Sequence, residues 1–194
     1  MSDETLEKKD KLGLIVSKVK ENSRLLLSIA LIIVLVFIAT VFLDKKREEK
    51  NILISQKFNK AKILIKNEKK EESFIILKEI IEKKHKFYSP LSLYLIIDFE
   101  LEKNHESIKQ LFDKVISVRG IDKENINLIK IKKALFLSNY YGEQEILKVL
   151  NPIINSDSIW RSNAIKILID YFSIKGDSLK ADQYIKLLNK KDSK

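Results

Sequence analysis

Cysteine is absent from this 194-residue chain, and proline and glycine are scarce, at two and four residues. Without cysteine there is no disulfide, no thiolate metal site and no thiol nucleophile, so nothing here depends on redox state. The absence does not choose a compartment, because exported and cytosolic domains alike can lack disulfides. So little Gly and Pro excludes the turn-rich grammar of a β-sandwich or barrel. The histidines are His85 and His105 alone, without metal-ligand spacing or a clustered carboxylate pair, and each reads as a solvated turn residue. No G-x-S-x-G, P-loop or H-E-x-x-H motif occurs, and the acidic residues spread along polar faces at helical spacing. The sequence therefore points away from an enzyme, and no metal or other cofactor is expected.

What the chain does have is an uncharged run, Leu25 to Leu43 (LLLSIALIIVLVFIATVFL), free of Pro and Gly, in a sequence that is otherwise rich in charge. As a helix rising 1.5 Å per residue it covers roughly 28 Å, close to the ~30 Å hydrocarbon core of a bilayer. Fifteen of its residues are Leu, Ile, Val or Phe, and together they favour insertion by roughly 5 to 8 kcal/mol. Ser28 and Thr40 cost little, since each hydroxyl can bond back to a carbonyl one turn earlier. A buried core helix would show a polar stripe, and a cleaved signal would have a shorter apolar run ending in an A-x-A-like site. The expectation is an uncleaved signal anchor, with a short tail over 1–24, a transmembrane helix over 25–43 and one helical domain over 44–194.

Charge does not orient this span. Six basic residues precede it (Lys8, Lys9, Lys11, Lys18, Lys20 and Arg24), and seven follow closely (Lys45, Lys46, Arg47, Lys50, Lys57, Lys60 and Lys62), a draw under the positive-inside rule. The net charge of +10 invites a nucleic-acid or anionic-membrane partner. Yet only Arg24, Arg47, Arg119 and Arg161 among the 37 basic residues are arginine, the side chain that grips phosphate bidentately and stacks on bases. The lysines read mainly as solvated faces, and nucleic acid as an unlikely partner. The cluster Lys45, Lys46, Arg47 and Lys50 is the exception, placed to meet anionic headgroups.

After the span the apolar spacing is three and four throughout, as in Ile108, Leu111, Phe112 and Val115. Helices are expected over 46–67, 70–84, 90–102, 105–118, 122–140, 143–151, 157–175 and 177–190, in pairs. Ser89 before Pro90, Asp122, and Gly176 followed by Asp177 supply starts and stops. Ile54, Phe58, Ala61 and Ile65 form a stripe that docks the first of these helices on the domain. Anchoring the second helix of each pair on Ser73, Ile108, Leu147 and Ala181 gives a period close to that of tetratricopeptide repeats. The matching positions on the first helices are Ala61, Ile96, Leu135 and Ile169. In the last unit Ile165, Leu168, Ile169 and Phe172 face Ala181, Ile185 and Leu188 across the Gly176 turn. The middle units carry Ile96 with Ile108 and Leu135 with Leu147 where small residues are expected, so these helices should be splayed.

With this span, these pairs and this length the chain resembles the ancillary SecYEG translocon subunit family (YfgM-like), over about Asp10 to Lys194. The resemblance implies an all-α fold, with a cytoplasmic tail, one inner-membrane helix and a tetratricopeptide-like domain of about four helix pairs in the periplasm of a Gram-negative bacterium. It implies as partners the SecYEG translocon, a membrane-anchored periplasmic chaperone of the prolyl-isomerase type and secreted clients. The high Lys content and weak middle repeats depart from the family pattern and leave the partner open.

Stacked helix pairs make a curved array whose concave side can hold a partner. In this register that side receives Leu93, Ile97 and Glu100, then Lys132, Phe136 and Asn139, then Asn163, Lys166 and Asp170. Leu93, Ile97 and Phe136 are equally compatible with packing against a neighbouring helix, and the lone Trp160 is more in keeping with a core residue than with a binding hot spot. Two functions stay open: a protein-binding scaffold or chaperone-like adaptor at the translocon, and a cytosol-facing domain that holds nucleic acid or another acidic assembly at the membrane.

Overall fold

The computed structural model describes residues 23–190, except for the side chains of residues 23–26, 29 and 30. Among the described residues there are eight helices and no strand, in an order consistent with an α-solenoid. They are α1 (Ser23–Lys66), α2 (Lys70–Glu82), α3 (Tyr88–Asp98) and α4 (His105–Ile116), then α5 (Lys123–Tyr140), α6 (Glu143–Ile154), α7 (Arg161–Ile174) and α8 (Ser178–Asn189).

Helix α1 is one continuous element across the expected span and the helix after it, a continuity the sequence alone leaves open. No Gly or Pro stands between Leu43 and Lys66 to break it. Thr40 donates its hydroxyl to the Phe37 carbonyl at 2.8 Å, so its polar atom is satisfied inside the helix. Among the described residues no helix is long and apolar enough to cross a membrane. The expected span includes residues 25, 26, 29 and 30, whose side chains lie outside the described residues, and the expected tail lies outside them as far as residue 22. The chain divides into two units with the boundary between Leu53 and Ile54.

In the second unit two apolar clusters form. The first gathers Ala61, Leu77, Ile80, Leu93, Ile96, Ile108, Leu111, Phe112 and Val115, and ends at Ile129 on α5. Ile54, Phe58 and Ile65 pack against it, as the stripe on that part of α1 requires. The second begins at Ile131 and gathers Ala134, Leu137, Ile146, Leu150, Ala164, Ile165, Leu168, Phe172 and Ala181. Phe136 packs against both, and the half-buried Trp160 packs against the second.

Small hydroxyls join the first helices. Ser73 donates to the Ala61 carbonyl at 3.0 Å and Ser89 to the Ile80 carbonyl at 3.1 Å, both fully buried. Ser89 is thus inside α3 and does not cap it. The cap is supplied by His85, whose Nδ1 accepts the backbone N–H groups of Phe87 at 3.2 Å and Tyr88 at 3.1 Å. Elsewhere Asp122 accepts from Glu124 and Asn125, Asp177 from Lys180, and Asn104 from Ser107. Gly176, with φ +76°, ends α7. Helix α6 runs past Pro152 to Ile154, because a proline in the last turn removes a single backbone bond. Lysines bridge helices: Lys57 meets Glu79 at 2.5 Å, Lys133 meets Asp113 at 2.6 Å, Lys180 meets Glu143 at 2.8 Å, and Lys114 pairs with Glu82.

The repeat positions need correction in the later units. Ala61, Ser73, Ile96, Ile108 and Ala181 are buried. Leu135 is 49% exposed, and the buried residue beside it is Ala134. Leu147 and Ile169 are only half-buried, whereas Ile146 and Leu168 are fully buried. Ile185 stays exposed. The anchors of the second helices therefore fall at 73, 108, 146 and 181, more evenly than with 147. The repeat period placed Leu135, Leu147 and Ile169 at packing positions, and at each of them the preceding residue is the buried one.

Candidate protein-binding groove

An open groove of about 590 Å³ lies between α3, the α3–α4 loop, α4 and α5. Helix α3 contributes Tyr94, Ile97 and Asp98, and the loop contributes Glu100, Glu102 and Lys103. His105, Ile108 and Phe112 come from α4. On α5 a stripe at helical spacing, Lys132, Leu135, Phe136, Asn139 and Tyr140, forms the facing wall. That wall exists because α5 is buried on two other sides. Ile129, Lys133 and Leu137 lie on one arc and Asn127, Ile131 and Ala134 on another, each buried, and the remaining face opens to the groove.

Of the nine residues expected on a concave side, the structure brings together Ile97, Glu100, Lys132, Phe136 and Asn139. Leu93 is corrected: it is fully buried in the first core and offers no surface. Helix α3 is apolar nearly all round, so periodicity did not show which arc faces in. The buried arc is Ser89, Ser92, Leu93 and Ile96, with the serines turned inward, which leaves Tyr94 for the groove. Asn163, Lys166 and Asp170 are exposed but do not line it.

The floor is aromatic. His105 stacks on Tyr140 with ring centroids 3.6 Å apart, Phe136 lies 5.1 Å from Tyr140, and Phe112 lies 5.9 Å from Phe136. Tyr140 nevertheless remains 52% exposed. The ammonium of Lys132 sits 4.7 Å from the centroid of the Tyr94 ring, a cation–π contact. Burial raises the pKa of the Tyr94 hydroxyl. The Glu102 carboxyl is held below its ordinary value, first by the Asn104 backbone N–H at 2.9 Å, with further help from Ser107, Lys103 and Lys78. It is therefore a carboxylate at neutral pH. Tyr94, His105 and Tyr140 escaped the sequence reading. The i, i+4 pair Phe136 and Tyr140 carried the signal for one of them, continuing the stripe from Lys132 by another turn.

A smaller cavity of about 280 Å³ is lined by Lys109, Lys130, Lys133 and Lys148 with Asp113 and Glu145. Its charges are partly matched internally, by Lys133 with Asp113 at 2.6 Å and Lys109 with Glu145 at 3.4 Å. Among the described residues no group of His, Cys, Asp and Glu is arranged to hold a metal ion.

Comparison with protein families, with curated proteins and with solved structures finds no match to this chain. The site is therefore argued from its own chemistry. A half-open trough with stacked rings and carboxylates at its rim offers a surface for binding.

Proposed function

We propose that the chain is a single-pass membrane protein whose helical domain is a tetratricopeptide-like protein-binding scaffold, working as a chaperone-like adaptor at the SecYEG translocon. In this reading residues 25–43 cross the inner membrane, the tail lies in the cytoplasm and the domain in the periplasm. The domain there meets a membrane-anchored chaperone and secreted clients. The translocon, the chaperone and the topology rest on the family resemblance.

The groove carries the scaffold reading. Its rings, exposed at His105 and Tyr140 and half-buried at Tyr94 and Phe136, line a hollow between three helices, the kind of surface at which aromatic side chains dominate protein recognition. The anchor is supported by Leu31 to Leu43, where every residue is exposed around the full circumference of α1. Exposed apolar surface costs about 25 cal/mol per Å² in water. A bilayer removes that cost while a helix keeps its backbone bonds made. The bridging roles of Lys57, Lys109, Lys114, Lys133 and Lys180, each on a carboxylate of another helix, give the competing nucleic-acid reading little support.

The test is membrane fractionation followed by protease treatment of spheroplasts. The protein should resist extraction by alkaline carbonate, and its large domain should be digested from outside. Recovery in the soluble fraction would remove the anchor, and full protection of the domain would favour the cytosol-facing alternative.

A further inference from the structure

The sign of charge at the groove runs against that of the chain. The protein as a whole carries +10. The groove nevertheless presents three carboxylates, Asp98, Glu100 and Glu102, against the ammoniums of Lys103 and Lys132. The carboxylates of Asp98 and Glu100 have neither a hydrogen bond nor an ion pair among the described residues, although the Lys70 ammonium reaches the Phe99 carbonyl between them at 3.2 Å and lysines elsewhere cross between helices to reach acidic partners. Glu102 is fixed in its ionised form by two backbone N–H groups, from Lys103 at 2.8 Å and Asn104 at 2.9 Å, both on Oε1. Beside these carboxylates lie aromatic rings, exposed at His105 and Tyr140 and half-buried at Tyr94 and Phe136. One of them, Tyr94, already carries an ammonium, that of Lys132 at 4.7 Å. The molecule thus demonstrates on itself the contact it offers.

Resting on the scaffold reading above, we infer that the groove selects positively charged peptide segments, seating a Lys or Arg side chain against its rings and between Asp98, Glu100 and Glu102, with the flanking apolar side chains over Phe136 and Leu135. A cation on an aromatic face gains from the ring quadrupole, and the gain grows when carboxylates stand close and water is partly excluded. The size suits it: about 590 Å³ falls within the range of sites that enclose a compact ligand. The surrounding excess of lysine repels cationic peptides everywhere else, so attraction is confined to this hollow. Lys132 is the resident competitor. A bound side chain takes over the Tyr94 face, and the Lys132 ammonium swings away to solvent.

The test uses the full-length protein in a non-ionic detergent and three fluorescent peptides of equal length, built from leucine with lysine, glutamine or glutamate. At physiological salt the lysine peptide should bind at least about tenfold more tightly than the other two. The pair Asp98→Asn and Glu100→Gln should weaken the lysine peptide by about tenfold while leaving the glutamine peptide unchanged. Lys132→Met should tighten the lysine peptide several-fold, a gain that misfolding does not produce. Equal or tighter binding of the glutamate peptide, or no effect of the carboxylate substitutions, overturns the inference. If the lysine and glutamine peptides bind alike and Phe136→Ala abolishes both, the groove remains a docking site and the charge selection falls. If none of the peptides binds, the selection falls, and crosslinking from position 136 in cells then judges the scaffold reading separately.

Discussion

Where α7 and α8 cross, Ala181 stands opposite Leu168 in the repeat register, both buried, and the two helices pack along each other extensively. Where α3 and α4 cross, Ile108 stands where α8 has Ala181, opposite Ile96, and the contact is much sparser. Interaxial distance follows the size of the side chains at the crossing. A small residue on one side of the crossing lets one hairpin close, and isoleucine on both sides holds the other apart. The gap is filled from α5 only in part, and what stays open is the groove. A repeat that looks degenerate by its packing pattern is thus the one that makes a site.

The largest expected effect separates two leucines on α5. Leu137 is fully buried in the second core, whereas Leu135 faces the groove. Leu137→Ala should cost about 2 to 5 kcal/mol in urea denaturation, and Leu135→Ala within about 0.5 kcal/mol of zero. Similar losses for both would mean that the groove is closed core and would break the comparison.

Next in size is Ala181→Leu, which forces a large side chain into the closed hairpin and should destabilise by about 1 to 3 kcal/mol. Unchanged stability would show that α7 and α8 have slack, and that the contrast with α3 and α4 is not one of packing.

That contrast was partly legible in the chain. The bulky pair at 96 and 108 announced a splayed unit, and Asp122, Gly176 and Asp177 marked their helix ends because capping is local chemistry. Three features were not legible, each for a physical reason. Helix α3 is apolar on every side, so the buried place of Leu93 depends on Ser89 and Ser92 turning toward α2. Helix α5 is buried on two arcs, so a single stripe could not describe it, and Ala134 rather than Leu135 lies inside. His85 read as a solvated residue because a side-chain cap with a ring nitrogen has no spacing signature.

Ser92 offers a smaller test within the first core. Its hydroxyl is buried and has no hydrogen-bond partner among the described residues. Ser92→Ala should therefore stabilise the protein by about 1 kcal/mol, seen as a higher denaturation midpoint. A loss of stability would show that the hydroxyl is satisfied and that α3 is tied to α2 by more than Ser89.

The smallest effect concerns pH. His85 has its pKa lowered from the ordinary 6.5, first by burial and then by the nearby charge of Lys86, and its Nδ1 must stay unprotonated to cap α3. With the folded value depressed, the contribution is complete above about pH 6.5 and is lost as pH falls through the folded value. The closed C-terminal hairpin holds no histidine and should not respond in that window. NMR titration should give His85 a midpoint below that of His85 in the urea-unfolded chain, with the amide signals of Phe87 and Tyr88 shifting together. An equal or higher midpoint would contradict the cap.

The most direct measurement places a photo-crosslinking residue at position 136, inside the groove, and at position 163, exposed but outside it, in intact cells. Adducts to translocon or chaperone subunits are expected from 136 and not from 163. Equal adducts from both positions, or adducts from 163 alone, would contradict the claim that the open unit between α3 and α5 is where this protein meets its partners.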